Sequence, residues 1–130
     1  MRQPKFDRNK SPVNWYLASI LLRIEVGKKD QSRENRRCDA WENKILVKAK
    51  NPDEAYRKAL KIGKSEEQEY LNTEGDSVKF TFEGLTSLLP IYEELEDGSE
   101  LEWSEFENRS VKKIKSWVKS KQDLEVFSKD

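Results

Sequence analysis

The sequence predicts an α+β domain: a single antiparallel sheet, element order β-β-α-β-β-α, with the central helix packed on one face. Three stretches carry that prediction. Residues 14–26 (NWYLASILLRIEV) alternate with the two-residue period of a strand. Residues 40–63 (AWENKILVKAKNPDEAYRKALKIG) run from a second alternating stretch into a helix start. Residues 77–84 (SVKFTFEG) alternate again.

Ahead of the first strand, residues 1–13 are polar, basic and hold two prolines, Pro4 and Pro12. They read as a flexible basic arm. In the strand itself Tyr16, Ala18, Ile20, Leu22, Ile24 and Val26 share one face. Trp15, Leu17 and Leu21 make the other face apolar too, until Arg23 and Glu25 turn it polar. A strand apolar on both faces needs a cover on both, so it belongs in the middle of the sheet. The central helix supplies one cover. The C-terminal segment, a second copy of the chain, or both supply the other.

Residues 27–39 (GKKDQSRENRRCD) form a long polar loop, and loops of that length carry function or move. Arg33, Arg36 and Arg37 make it a candidate for binding phosphate or an acidic surface. No aromatic residue interleaves with them and no glycine-rich cradle is present, which disfavours nucleic acid.

In the second strand Trp41, Ile45, Val47 and Ala49 share a face, with Asn43 the exception. Asn51 then caps a helix, Pro52 takes its first position, and Asp53 and Glu54 favour the positive end of its dipole. Ala55, Ala59 and Ile62 follow at helical spacing, and two alanines let the helix lie close to the sheet. Gly63 either ends this helix or sits within a longer one. Ser65-Glu66-Glu67-Gln68 has capping-box form and marks a restart, a second helical piece reaching Tyr70 and Leu71. Asn72 to Asp76 is a turn.

The third strand places Val78, Phe80 and Phe82 inward, with Gly84 at a bulge or bend. Pro90 confines any continuation through LTSLLPIYEEL to an edge or an irregular segment. Asp97-Gly98 signals a hairpin, after which Leu101 and Trp103 alternate in a short last strand. The core domain so defined spans residues 14–107. In residues 108–130, Val111, Ile114, Trp117 and Val118 fall at helical spacing and predict an amphipathic helix over the open face of the sheet, followed by a tail.

Charge is balanced at zero overall, with 25 Lys and Arg against 25 Asp and Glu. It is nonetheless segregated along the chain. Residues 1–64 are strongly basic, 65–108 strongly acidic with Lys79 the one cation, and 109–130 basic again. Such blocks either form opposed surface patches or neutralise each other on folding. There is no histidine, which removes the usual general base and the commonest metal ligand. A single cysteine, Cys38, leaves no internal disulfide and no zinc site, and points to a reducing compartment. No early basic-then-apolar leader and no long apolar run are present, so a cytoplasmic protein with no membrane association is expected.

The residues Trp15-Tyr16, Trp41-Glu42, Asp53-Glu54-Ala55-Tyr56, Lys58-Ala59, Gly63, Tyr70, Asn72, Gly75, Phe80, Phe82-Glu83-Gly84-Leu85 and Asp97-Gly98 with Glu100 form a distributed pattern over residues 14–106. In it the chain resembles the bacterial family called domain of unknown function 4288. A tryptophan often precedes the third-strand phenylalanine in that family, and Phe80 takes its place here. The resemblance implies the fold and a bacterial, cytosolic origin. It implies no mechanism. Its polar members Glu42, Tyr70, Asn72, Glu83 and Glu100 are candidate binding residues, although Tyr70 as a helix-end anchor and Asn72 as a turn former have structural explanations.

The functional expectation is a small non-enzymatic protein-binding module without a cofactor. Its partner is another protein or a second copy of itself. One alternative is an immunity- or antitoxin-like protein whose acidic segment covers a basic toxin. Another is a magnesium-dependent enzyme built on carboxylates, which requires Glu42, Glu83 and Glu100 to converge.

Overall fold

A computed structural model describes residues 7–27 and 32–127. Four strands and one long helix form the packed unit: β1 (Trp15–Val26), β2 (Asp39–Lys48), α1 (Pro52–Ser65), β3 (Gln68–Leu71) and β4 (Ser77–Ile91). The sheet is antiparallel throughout, in the order β2-β1-β4-β3. A short helix, α2 (Val111–Ser116), and two 3-10 turns follow.

β1 is central, as its two apolar faces require. Its even residues face α1. Tyr16 and Ala18 pack with Val47, Ala49, Ala55 and Ala59. Ile20, Leu22 and Ile24 continue that layer with Val78 and Phe80, and Ile45, Ile62 and Leu85 touch both clusters. The helix starts as its sequence requires: the Asn51 side chain accepts from the Glu54 amide at 2.8 Å, with Pro52 in the first turn. It then runs through Gly63 without a break. A Cβ at Gly63 would lie 2.4 Å from the Phe82 ring, so the missing side chain is the space that Phe82 occupies.

Ladder parity orders the backbone of the sheet. The Ala49 amide donates to the Asn14 carbonyl at 2.9 Å, and the Gly27 amide to the Ser77 carbonyl at 2.7 Å. Alternation then directs the even residues of β1 toward β2 and the odd residues toward β4. Pro90 lies opposite Tyr16, so its ring nitrogen faces away from β1. β3 pairs only with residues 77–80, which leaves the part of β4 that contains Pro90 at the edge. The prolyl residue thus sits where no ladder amide is needed. Register shifts between Ser19 and Ile20 and between Leu21 and Leu22 fit the bulge expected near Gly84, whose φ is +146°.

Three expectations are corrected. Residues 68–71 form strand β3 and not a second helical piece, because pairing with β4 outweighs the local capping pattern. The continuation left open through Pro90 is a strand: β4 runs beyond Gly84 to Ile91 with Pro90 on its unpaired side, as an edge position requires. Leu101 and Trp103 belong to no strand: residues 92–110 are irregular and exposed over most of their length. The last helix is six residues long, entirely exposed, and does not cover the sheet. The packed order is therefore β-β-α-β-β.

The basic arm is in part outside the described residues (1–6), as are residues 28–31 of the Arg-rich loop. Residues 7–13 of the arm are tied down. Ser11 is 1% exposed. Its hydroxyl donates to the Ile91 carbonyl at 2.5 Å and accepts from the Trp15 amide at 3.1 Å, while its own amide donates to the Tyr16 hydroxyl at 3.0 Å. One serine thus joins the arm to the ends of β1 and β4.

Glu67, between α1 and β3, holds the junction. Its carboxylate accepts from the Phe82 amide at 3.0 Å and pairs with Lys64 at 2.8 Å. The Lys64 hydrogen bond first, and the Phe82 amide second, hold its carboxyl below the usual value.

Two outcomes follow for stability. Gly63→Ala should lower unfolding free energy by about 1 kcal/mol in urea titration, although alanine is favoured by about that amount in an open helix, because the added methyl must displace the Phe82 ring. Glu67 has a folded pKa below its unfolded value of about 4.3, so its stabilisation is present above that pH and is lost as pH falls through the folded pKa. The stability difference between the native chain and Glu67→Gln should therefore be full near neutrality and vanish in strong acid. A difference independent of pH would contradict this role.

Candidate functional site

The face of the sheet turned away from α1 collects the polar residues of three strands. Odd residues of β1 line it: Leu17, Ser19, Leu21, Arg23 and Glu25. Strand pairing sets Ser19 beside Lys44 and Ser87, and Leu21 beside Glu42 and Gly84.

Glu25 anchors one end of this face. It is only 4% exposed, yet acidic. A carboxylate in that setting needs cationic partners. Arg36 supplies a two-pronged one, with Nε at 2.9 Å and Nη2 at 3.2 Å. Arg23 Nε lies 3.1 Å from Glu25 and 3.3 Å from Glu83, bridging the two acids. The resulting row is Arg36-Glu25-Arg23-Glu83. The Glu25 hydrogen bond is the main cause holding the Arg36 guanidinium above its ordinary pKa.

A second polar group lies nearer β2. Lys44 Nζ donates to the Ser19 hydroxyl at 3.1 Å and sits 3.6 Å from Glu42 and 3.9 Å from Glu102. Glu42 in turn accepts from the Thr86 hydroxyl at 2.8 Å. The Glu102 contact brings in the irregular segment that follows β4. In that segment Trp103 stacks obliquely on Tyr92, ring centres 5.9 Å apart, and the two border a cleft of about 450 Å³ with Leu89, Pro90 and Arg8.

The candidate residues are thus divided. Glu42 and Glu83 share the helix-free face, each engaged with a cation. Arg36 joins them through Glu25. Arg33 contributes its carbonyl, which accepts from Arg36 Nη1 at 2.8 Å, and Arg37 is exposed beside Cys38 and Asp39. Asn72 is a turn former: its side-chain oxygen accepts from the amides of Glu74 at 3.0 Å and Asp76 at 2.9 Å. Tyr70 is on β3, not at a helix end, and its ring lies 6.3 Å from that of Phe80. Glu100 is in the exposed segment, where its amide donates to Glu93 at 2.6 Å. Glu42, Glu83 and Glu100 do not converge. Among the described residues no three His, Cys, Asp or Glu side chains are placed to hold a metal ion.

Sequence reasoning passed over Glu25, Arg23 and Lys44 as site residues. Their signal was present in the change of the odd face of β1 from apolar to charged. Among the described residues no helix is long and apolar enough to cross a membrane.

The family model described as Domain of unknown function (DUF4288) matches residues 15–103, and the chain belongs to that family. The match runs from the first residue of β1 to Trp103, so it takes in the whole sheet, α1 and most of the acidic segment. No curated protein and no solved structure matches.

The charged row predicts an ordered pair of effects. Glu25→Gln leaves two guanidinium groups facing a buried neutral side chain and should destabilise the fold clearly in chemical denaturation. Glu83→Gln, at the exposed end of the same row, should change stability by less than about 0.5 kcal/mol. Equal effects would show that Glu25 is not the anchor.

Proposed function

We propose that this chain is a small protein-binding module that receives a basic partner on the acidic segment following β4. The observation that carries this reading is the disposition of residues 93–107. Glu93, Glu94, Glu96, Asp97, Glu100, Glu102, Glu105 and Glu107 are all exposed there. Among the described residues the one ion pair made by these side chains is Glu102 with Lys44, at 3.9 Å. No ion pair joins them to the lysines of α2. Among the described residues, the carboxylates of residues 93–107 other than Glu102 therefore make no ion pair with the cations of their own chain.

Apolar groups stand among these charges. Leu101, Trp103 and Phe106 are exposed large side chains of the same segment. Exposed aromatics flanked by like charge are a suitable composition for a protein contact: the rings supply buried area and the carboxylates steer a cationic surface. An immunity- or antitoxin-like role, in which this surface covers a basic toxin, is the specific form of the reading that the charge favours. A carboxylate-based enzyme is less well supported, because Glu42 and Glu83 are engaged with cations and stand apart from Glu100.

The test begins with affinity capture from the native host, then calorimetric titration of the captured protein against purified chain. The triple variant E94Q/D97N/E107Q removes three carboxylates whose side chains make no hydrogen bond among the described residues. It should bind at least about tenfold more weakly at low salt, and the native interaction should weaken steeply with added salt. Binding that is indifferent both to salt and to these substitutions would overturn the reading.

A further inference from the structure

The sheet has one long edge that, among the described residues, is covered only at its end, where the Lys48 carbonyl accepts from Lys58 of α1. β2 is ten residues long and pairs only with β1. By the parity set at Ala49 and Asn14, the amides and carbonyls of Ala40, Glu42, Lys44 and Leu46 point outward from it. On that edge Trp41 is 54% exposed and Leu46 is 44% exposed. Unpaired edges of this length are templates for another strand unless they are blocked.

We infer that β2 pairs antiparallel with β2 of a second copy about a two-fold axis at Asn43, joining two four-stranded sheets into one. The register follows from charge. Hydrogen-bonded pairs across the axis must match two outward-pointing residues, so only even positions pair with even positions. Centring on Glu42 sets Glu42 against itself. Centring on Lys44 sets Lys44 against itself. The register between them sets Glu42 opposite the partner's Lys44 and Lys44 opposite the partner's Glu42, twice-repeated attraction where the neighbouring registers place like charges at the axis. Edge charges usually prevent pairing, but the order Glu-Asn-Lys is complementary to itself when reversed.

The other face of the strand agrees with the same register. Trp41 falls opposite the partner's Ile45, and Asn43 opposite the partner's Asn43, both in non-hydrogen-bonded pairs where side chains approach most closely. Ile45 is half-buried at the rim of the core, and Trp41 already meets Phe80 edge-on with ring centres 5.5 Å apart. The partner's Trp41 would extend the apolar layer under α1 across the axis. Ala40 and Leu46 pair on the opposite face. An interface that uses one patch on both copies closes as a dimer.

Light scattering coupled to size exclusion, on the full chain, tests this. A dimer is expected. Glu42→Lys and Lys44→Glu each place like charges opposite one another and should each weaken dimerisation at least about tenfold. The double exchange E42K/K44E restores opposite charges and should recover the dimer. Circular dichroism on the same samples separates loss of dimer from loss of fold. The register has a second readout: in a Cys38→Ser background, Asn43→Cys should form an intermolecular disulfide under mild oxidation, because non-hydrogen-bonded antiparallel partners lie about 4.5 Å apart at Cα. A chain that stays monomeric as its concentration is raised overturns the inference. So does a dimer that keeps its affinity in both single variants and forms no Asn43→Cys cross-link.

Discussion

β1 must be buried on both faces, and the chain has one long helix with which to do it. Most of the architecture answers that constraint. α1 covers the even residues, with Ala55 and Ala59 bringing it close and Gly63 making room for Phe82. The odd residues receive no helix. At one end Leu17 is flanked by Leu46 and Leu89 from the neighbouring strands. At the other, where Arg23 and Glu25 replace apolar residues, burial is made tolerable by charge pairing. A guanidinium that donates twice to one carboxylate can stay in a region largely shielded from water, whereas either group alone would be costly there. The Arg-rich loop is therefore partly structural: Arg36 folds it back over the sheet to meet Glu25.

The same constraint explains why the acidic segment lies where it does. After Ile91 the chain leaves the sheet and crosses toward the helix-free face, with Glu102 reaching Lys44 and Trp103 resting on Tyr92. Its contacts with the sheet are few, so its remaining carboxylates stay in water. Structural and candidate binding duties are separated along the chain: the first part of the sequence builds the scaffold, and the acidic part displays charge on it.

What could be read from the sequence was what local chemistry decides. The alternation of β1, the Asn51 cap, the Asn72 turn and the edge position imposed by Pro90 all depend on neighbouring residues or on the two faces of one element. What was missed depends on distant partners. Gln68–Leu71 follows the helix-capping pattern of Ser65 to Gln68, yet becomes a strand because Ser77–Phe80 is there to pair with it. Leu101 and Trp103 alternate like a strand but find no partner, so the pattern alone forms nothing. Ser11 looked like part of a loose arm, and its role rests on a carbonyl eighty positions away. At the candidate site, the charged candidates Glu42, Glu83 and Arg36 were visible by type, while Glu25, which orders two of them, was visible only as a break in an apolar face.

The junction residue Glu67 has a meaning beyond stability. Phe82 points its amide away from β1, into the space a further strand would occupy past the end of β3. The Glu67 carboxylate fills the position of that strand's carbonyl, and Pro90 farther along offers no amide at all. Two positions on the open side of β4 are thereby unavailable to an added strand, and β3 beside it is only four residues long. The carboxylate that fastens a helix to a strand thus also guards a position where β4 could otherwise receive another strand.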